Sequence, residues 1–316
     1  MIPLLTGSDV YRHLPMPDAI NAMRTAFRQI SSGEAIIPLR STIALPGQDA
    51  GALFMPGFLS GSGILGIKIV TLFKENPEKG LPLIHAMVVI MDGKTGAPRA
   101  VIDGESLTAL RTGAASGLAT DLLARKNAEV LTLFGAGVQG RTQLEAVAAV
   151  RDLKKAFIVD PDKIKTKEWI ARTQPGYPFQ ILAGEPGASV READIICTAT
   201  TATEPVFRAS DLRPGTHINA IGAYQPDRRE IPPETVAAAF VVVDQRRACL
   251  AEAGDLVLAI REGYIREAHI AAELGEILTG LSPGRTADDQ VTLFKSVGNS
   301  AQDLAAAERI LQNMAV

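Results

Sequence analysis

An apolar run, Val130–Phe134, feeds directly into Gly135-Ala-Gly-Val-Gln-Gly140, and that turn opens a helical stretch, Gln139–Val150. No other feature of the chain restricts its fold so strongly. A G-x-G-x-x-G string alone occurs by chance, but here a strand precedes it and a helix follows. The next apolar run, Phe157-Ile-Val159, then ends in an acidic residue, Asp160. That is the full context of a βαβ dinucleotide fingerprint. Each glycine has a job. Gly135 makes the tight turn, Gly137 lets the backbone approach a pyrophosphate, and Gly140 allows close helix–strand packing. The helix N-terminus then favours the phosphate charge. Asp160 stands where a carboxylate accepts hydrogen bonds from the adenosine ribose and repels a 2′-phosphate. NAD is therefore the expected cofactor, with NADP possible because Lys163 and Lys165 lie just downstream.

From Thr112 onward strands and helices alternate. A small-residue helix over Gly113–Arg125 precedes Val130–Phe134, and β-runs follow at Ala156–Val159, Phe179–Ala183, Asp194–Ala199, His217–Ile221 and Phe240–Val243. Alternation of this kind predicts a doubly wound parallel sheet, the Rossmann arrangement. The chain before it reads differently. One helix, Asp18–Ile30, carries Ile20, Met23, Phe27 and Ile30 at three- and four-residue spacing. Short β-runs follow at Ile36–Leu45, Ala52–Met55, Ile64–Leu72, Ile84–Met91 and Arg99–Ile102, with Asp92-Gly-Lys-Thr-Gly as a hairpin turn. The fold class expected is α/β, a Rossmann sheet plus an α+β N-terminal domain.

Three cations of that first domain stand in unusual places. Lys68 lies inside Gly66-Ile-Lys-Ile-Val70, Arg40 ends Ile36-Ile-Pro-Leu-Arg40, and Arg111 sits at the junction in Leu110-Arg-Thr-Gly-Ala. A charge among strand hydrophobics is costly unless paired. No acidic neighbour of Lys68 is evident, so there are two alternatives: an anionic ligand such as a carboxylate supplies the partner, or each cation reaches water or pairs with a distant Asp or Glu. His85, in the strand Leu83–Met91, is either a proton donor or a hydrogen-bonded structural histidine. Tyr224, in Gly222-Ala-Tyr-Gln-Pro-Asp-Arg-Arg-Glu230, follows the His217–Ile221 strand; it either lines the nicotinamide pocket or packs on its neighbours. Cys197 reads as core.

Composition narrows the remaining classes. Of the 316 residues, 47% are hydrophobic and 21% charged, enough for a large core in two domains. With 32 basic and 35 acidic residues the net charge is −3, so nothing points to nucleic acid or an anionic membrane. Two cysteines, far apart, and four histidines without metal-ligand spacing predict neither disulfides nor a metal site. The N-terminus does not read as a signal peptide, and no apolar run approaches the ~20 residues of a membrane span. A cytoplasmic protein is expected.

Several stretches together resemble the ornithine cyclodeaminase/mu-crystallin family over nearly the whole chain. They are Leu110-Arg-Thr-Gly-Ala-Ala-Ser-Gly117, Phe134–Gly140, Ala193-Asp-Ile-Ile-Cys-Thr-Ala-Thr200, Ala251-Glu-Ala-Gly-Asp255, Gly275-Glu-Ile-Leu278, Pro283-Gly-Arg-Thr-Ala-Asp-Asp289 and Leu293-Phe-Lys-Ser-Val-Gly298. The resemblance implies a Rossmann domain over 113–300 inserted into a substrate and dimerisation domain built from 1–112 and 301–316. It implies that Arg40, Lys68 and Arg111 hold the substrate carboxylate; for reduction of an imine, Lys68 or an ordered water is the candidate catalytic proton source. It carries cofactor contacts to Thr112, Val138, Gln139, Asp160, Thr200 and Ser296, beside the glycines of the turn. Members of the family that are cyclodeaminases resemble one another at two positions that differ here. Tyr224 replaces an aspartate, and Ala52-Leu-Phe54 stands before Met55-Pro56 in place of a glutamate. The segment Gly222–Glu230 is more similar to the ketimine and Δ1-pyrroline-2-carboxylate reductases. The resemblance thus implies an NAD(P)H-dependent reductase of cyclic ketimine carboxylates. An L-amino-acid dehydrogenase, a cyclodeaminase and a non-enzymatic ligand binder are the alternatives. The small molecule bound is an imino or amino acid. A homodimer through the first domain is expected, because its apolar strands have no obvious partner sheet.

Overall fold

The computed structural model describes residues 2–315. The chain divides into two compact units, Met1–Arg111 with Gly298–Val316, and Thr112–Val297. The division falls inside one helix, Gly104–Leu123.

The first unit is a mainly antiparallel sheet covered by helices on one face. Its strands are β1 (Leu4–Leu5), β2 (Ala35–Ile36), β3 (Ser41–Ala44), β4 (Ala50–Leu59), β5 (Ile64–Phe73), β6 (Ile84–Asp92) and β7 (Pro98–Asp103). They run in the order β1-β7-β6-β5-β4-β2, with β3 also on β4. The run expected as one strand over Ile36–Leu45 is broken into β2 and β3; Pro38, which has no N–H to give a ladder, lies between them. At the β6–β7 turn, Asp92 Oδ1 accepts hydrogen bonds from the amides of Lys94 and Thr95, and Gly96 takes φ 72°. The helices Met16–Ser31 and Ser300–Met314 pack on each other, and the latter lies across β4 and β5. Their contact buries Met23, Ala26, Phe27, Ala306, Ala307 and Ile310. Glycine decides how closely the C-terminal helix approaches. A Cβ on Gly57 would stand 2.5 Å from Ser300 Oγ, which donates to the Pro56 carbonyl at 2.7 Å. One face of β4–β6 (Met55, Leu59, Ile64, Val88, Ile90) is thereby buried. The other face leaves Leu65 and Met87 exposed, with Ile43 of β3.

The second unit is the doubly wound sheet. Its strands are β8 (Val130–Phe134), β9 (Lys155–Val159), β10 (Gln180–Ala183), β11 (Ile195–Thr198), β12 (His217–Ala220), β13 (Phe240–Val243), β14 (Ile270–Glu273) and β15 (Thr292–Lys295). All pair in parallel, in the order β10-β9-β8-β11-β12-β15-β13-β14. The order reverses between β8 and β11, which makes their carboxyl ends the topological switch point. The sheet has two more strands than the six β-runs read from sequence, β14 and β15. Strands buried on both faces explain the apolar runs. In β11, Ile195 and Cys197 enter one core with Leu131, Leu133, Ile158 and Trp169, while Ile196 enters the other with Ile218, Val241 and Leu293. The small-residue helix expected over Gly113–Arg125 starts earlier, at Gly104, and ends at Leu123. A Cβ on Gly113 would stand 2.5 Å from the Thr142 carbonyl, so small residues there set a close helix–helix contact. Among the described residues, no helix is long and apolar enough to cross a membrane.

Candidate active site

In the first unit the C-terminal helix delivers a carboxylate to the buried cations. Asp303 is almost wholly buried; its Oδ2 lies 2.9 Å and its Oδ1 3.1 Å from Lys68 Nζ. Arg111 Nε donates to Asp303 Oδ1 at 2.9 Å, and Arg111 Nη1 donates to Gln302 Oε1 at 2.6 Å. Lys68 Nζ also reaches Thr108 Oγ1 at 3.4 Å. Lys68 faces this helix because of its register. It pairs with Met55 on one side and Val88 on the other, and all three side chains are buried. Gly298 makes room for the guanidinium: it takes φ 75°, and a Cβ there would stand 2.5 Å from Arg111 Nη1. Arg40 approaches from the segment between β2 and β3 and donates to the Gly298 carbonyl at 2.9 Å.

The distant acid of the two sequence alternatives is therefore present: Lys68 has a protein partner, Asp303. Its presence leaves the charge unbalanced, because Lys68 and Arg111 share one carboxylate. Burial pushes the Lys68 ammonium down to about 8; the Asp303 charge opposes this, and the charges of Arg111 and Arg40 add to it.

His85 is placed elsewhere. It pairs with Thr71, an odd number of residues from Lys68 on β5, so it projects from the opposite face of the sheet. There it is exposed, with Nδ1 3.6 Å from Glu105 Oε1. The structure joins it neither to the Lys68 cluster nor to the core as a buried structural histidine.

In the second unit the glycine turn has the geometry its spacing predicts. Gly135 takes φ 102°, and a Cβ there would stand 2.4 Å from the Ala199 carbonyl. A Cβ on Gly140 would stand 2.1 Å from the Gly135 carbonyl. Over Gly137 the space is open. Gly137 also caps the helix Val138–Ala148 without any side-chain hydrogen bond, leaving its first amides for a ligand. Val138 is exposed, and Gln139 Oε1 is buried with no partner. An uncapped helix N-terminus and an open approach over Gly137 fit a dinucleotide pyrophosphate.

Asp160 directly follows β9 and hydrogen-bonds the glycine turn. Its Oδ2 accepts from the Ala136 amide at 2.9 Å and its Oδ1 from the Asp162 amide at 3.1 Å, so it braces the glycine turn. Burial works against its charge, but these amides and Lys165 hold the carboxyl below the ordinary carboxylate range. Lys165 Nζ lies 3.3 Å from Asp160 Oδ2, and Lys163 pairs with Glu185 at 2.9 Å. Both cations that favoured a 2′-phosphate are thus engaged by carboxylates. Thr112 is buried in the long helix. Thr200 donates through its amide and its hydroxyl to Glu230 Oε1, each at 2.7 Å. The Ser296 hydroxyl donates to Asp244 Oδ2 at 2.7 Å. Tyr224 is exposed on the loop after β12. Cys197 is buried, with its thiol pushed up to about 12 by burial. Among the described residues no cluster of His, Cys, Asp and Glu could hold a metal ion.

Sequence reasoning missed Asp303 and Gln302 as members of the cation cluster. The available signal was two polar side chains opening an otherwise Ala-rich helix.

Comparison with known proteins bears on both units. A Delta(1)-pyrroline-2-carboxylate reductase of Bacillus cereus is 37% identical over 303 residues, covering 94% of this chain and 92% of the relative. The structure of Thermococcus litoralis Delta(1)-pyrroline-2-carboxylate reductase in complex with NADH and L-proline superposes with a TM-score of 0.95 at 39% identity, covering 99% of this chain and 98% of that one. An archaeal alanine dehydrogenase dimer with bound NAD superposes with a TM-score of 0.93 at 33% identity, covering 99% and 96%. The match to the family extends over residues 3–315, and this chain belongs to the ornithine cyclodeaminase/mu-crystallin family.

Proposed function

We propose that this protein is an NAD(P)H-dependent reductase of cyclic ketimine carboxylates, converting Δ1-pyrroline-2-carboxylate or a close analogue to the L-amino acid. The observation that carries this is the buried Lys68–Asp303–Arg111 cluster, in which two cations share one carboxylate. A substrate carboxylate supplies the missing negative charge. Arg111, with its planar fork of donors, binds it bidentately, and Arg40 adds a further donor. Holding the carboxylate orients the adjacent imine carbon, and positioning of this kind is worth several kcal/mol in rate. NADH, when bound, supplies the hydride for that carbon. The imine nitrogen needs a proton to become electrophilic, and Lys68 is the group able to hold and give one, because burial brings it down to about 8. Asp303 keeps Lys68 and Arg111 in place between turnovers.

In this proposal the first unit binds substrate and the second binds the dinucleotide. Gly135, Gly137, Val138, Gln139 and Gly140 take the pyrophosphate, and Asp160 the adenosine ribose. Thr112, Thr200, Ser296 and Tyr224 contact the rest. NAD is the preferred form, supported by Asp160 and by the pairing of Lys163 and Lys165 with carboxylates. The enzyme works in the cytoplasm as a homodimer through the first unit. The exposed apolar residues Ile43, Leu65 and Met87 support that, as does the dimeric archaeal relative.

One observation favours a second reading, L-alanine dehydrogenase. A lysine brought down to about 8 is partly neutral in mildly alkaline solution and then activates water for attack on an imine. One plate separates the two. Purified protein is assayed for NADH and NADPH oxidation with cyclic imino acids, and for NAD reduction with the twenty amino acids. Fast turnover of the cyclic imine with no alanine oxidation supports the reductase; alanine oxidation alone assigns the dehydrogenase. Activity on neither removes both.

A further inference from the structure

Three residues of the family-like stretches have no role in the chemistry above: Glu230, Asp255 and Lys295. All three side chains are essentially sealed from solvent. Glu230 is an acceptor for five donors. Its Oε1 takes the amide and hydroxyl of Thr200, both at 2.7 Å. Its Oε2 takes Thr198 Oγ1 at 3.0 Å, the Gly222 amide at 2.7 Å and the Ala223 amide at 3.1 Å. Asp255 in turn fixes the backbone that carries this carboxylate. Its Oδ1 accepts from the Glu230 amide at 2.7 Å and the Ile231 amide at 2.9 Å, while its Oδ2 lies 2.7 Å from Lys295 Nζ.

The place of this cluster in the sheet gives it meaning. Thr198 ends β11, Ala220 ends β12 and Lys295 ends β15, three adjacent strands, and β8 with its glycine turn is next to β11. Ligands of such sheets lie beyond the carboxyl ends at the switch point. The turn that Glu230 holds, Thr198–Thr200, is the one whose Ala199 carbonyl presses on Gly135. The other turn it holds leads into Tyr224. Gly222 is shaped to the carboxylate, since a Cβ there would stand 2.5 Å from Oε1 and 2.6 Å from Oε2. Further along the same loop, Arg228 meets the start of the helix Gly254–Arg261, where a Cβ on Gly254 would stand 1.9 Å from the Arg228 carbonyl. The loop 222–230 is thus fixed at its start, its middle and its end.

We propose that Glu230, aligned by Asp255 and Lys295, is a positioning residue that holds the Thr198–Thr200 and Gly222–Ala223 turns as the seat of the nicotinamide half of the cofactor. This rests on the cofactor part of the proposed function and not on the identity of the substrate. A five-donor site distinguishes carboxylate from amide, because Glu230→Gln puts an NH2 where either one amide and a hydroxyl or two amides and a hydroxyl need an acceptor.

The test compares wild type, Glu230→Gln and Thr200→Val, the last removing one of the five donors while leaving Glu230, Asp255 and Lys295 themselves unchanged. Binding of NADH and of ADP-ribose is followed by quenching of Trp169, the one tryptophan, together with the melting temperature of the unliganded protein. We expect NADH to bind about tenfold or more weakly in Glu230→Gln and several-fold more weakly in Thr200→Val, with ADP-ribose within threefold of wild type in both. Parallel weakening of NADH and ADP-ribose would reduce Glu230 to a scaffold residue and overturn the proposal. So would a folded Glu230→Gln with wild-type NADH affinity. If Glu230→Gln does not fold, Thr200→Val decides on the same two ligands. Wild type that binds neither ligand refutes the proposed cofactor instead, and wild type that binds NADH without reducing cyclic imines refutes only the proposed substrate.

Discussion

Lys68 and Asp303 stand 2.9 Å apart with almost no solvent at either, 235 positions apart in the chain. The pair joins the middle strand of the first sheet to the C-terminal helix, and Arg111 joins it from a second helix. Replacing Asp303 strands two buried cations at once. Asp303→Asn keeps the shape and removes the charge, and removal of one partner of a buried pair costs about 3–5 kcal/mol. We expect the melting temperature to fall by roughly 6–20 °C, taking about 2–4 °C per kcal/mol for a domain of this size class. Differential scanning calorimetry measures it; a shift under 2 °C contradicts the assigned role.

Protonation of Lys68 sets a pH prediction. The folded-state value of about 8 lies below the ordinary 10.5. Below pH 8 the ammonium is retained in both folded and unfolded chains, and imine reduction has its proton. As pH rises through 8 the folded protein loses that proton first, so kcat for reduction falls while kcat for amine oxidation rises. Stability moves the other way from reduction: between pH 8 and 10.5 the unfolded state binds more protons, so unfolding free energy increases with pH. Lys68→Arg stays charged throughout and should lack the alkaline limb, with a much lower kcat. A wild-type kcat flat from pH 7 to 10 assigns the proton to another group.

How much of this was legible in advance depends on distance along the chain. The strand Val130–Phe134 and the glycine turn were legible because their determinants are neighbours: an apolar run, a positive-φ glycine and a helix within one stretch. β14 and β15 were not. Ile270-Ala-Ala-Glu273 lacks a β-branched run, and Lys295 breaks the apolar pattern of its strand because its neutralising partner, Asp255, lies on another element. Lys68 was recognised as a charge in want of a partner. The resemblance implied that the C-terminal segment rejoins the first domain, but naming the partner required knowing which face of its helix meets β5. His85 lies on the face opposite Lys68, and the face a strand residue takes follows from the register and not from its neighbours in sequence.

Cofactor choice should follow Asp160. With Lys165 paired to it and Lys163 paired to Glu185, no free cation in this pair faces a 2′-phosphate. NADH should exceed NADPH in kcat/KM. Asp160→Ala should narrow or reverse the preference, and should also loosen the glycine turn through the lost Ala136 contact, raising KM for both cofactors. A wild type that strongly prefers NADPH shows that the lysines leave their acids when the phosphate arrives.

Assembly follows from the open face of the first sheet. Leu65 and Met87, with Ile43, are exposed there, on the face opposite the one that carries Met55, Lys68 and Val88. Sedimentation equilibrium should give a dimer at micromolar concentration, and Met87→Glu, which places charge in that face, should raise the dissociation constant by at least tenfold. A monomeric wild type removes the dimer.

Arg111 provides the decisive test of substrate chemistry. Its guanidinium is held by Asp303 through Nε and by Gln302 through Nη1, so its orientation is set before any ligand arrives. Loss of one charged hydrogen-bond partner from a desolvated site costs roughly 2–5 kcal/mol. At about 1.4 kcal/mol per decade, that is thirty- to several-thousand-fold in kcat/KM. Arg111→Met should therefore cripple reduction of a carboxylate-bearing imine while leaving the Kd for NADH within threefold, because the proposed dinucleotide contacts belong to other residues. The control is an imine of equal ring size without the carboxylate. It should be a poor substrate for wild type and little affected by the substitution, since the interaction removed is one it never makes. An Arg111→Met variant that keeps kcat/KM for the acid substrate within threefold of wild type makes Arg111 a structural partner of Asp303 alone. The carboxylate would then have to be held by Arg40 and Lys68 without it.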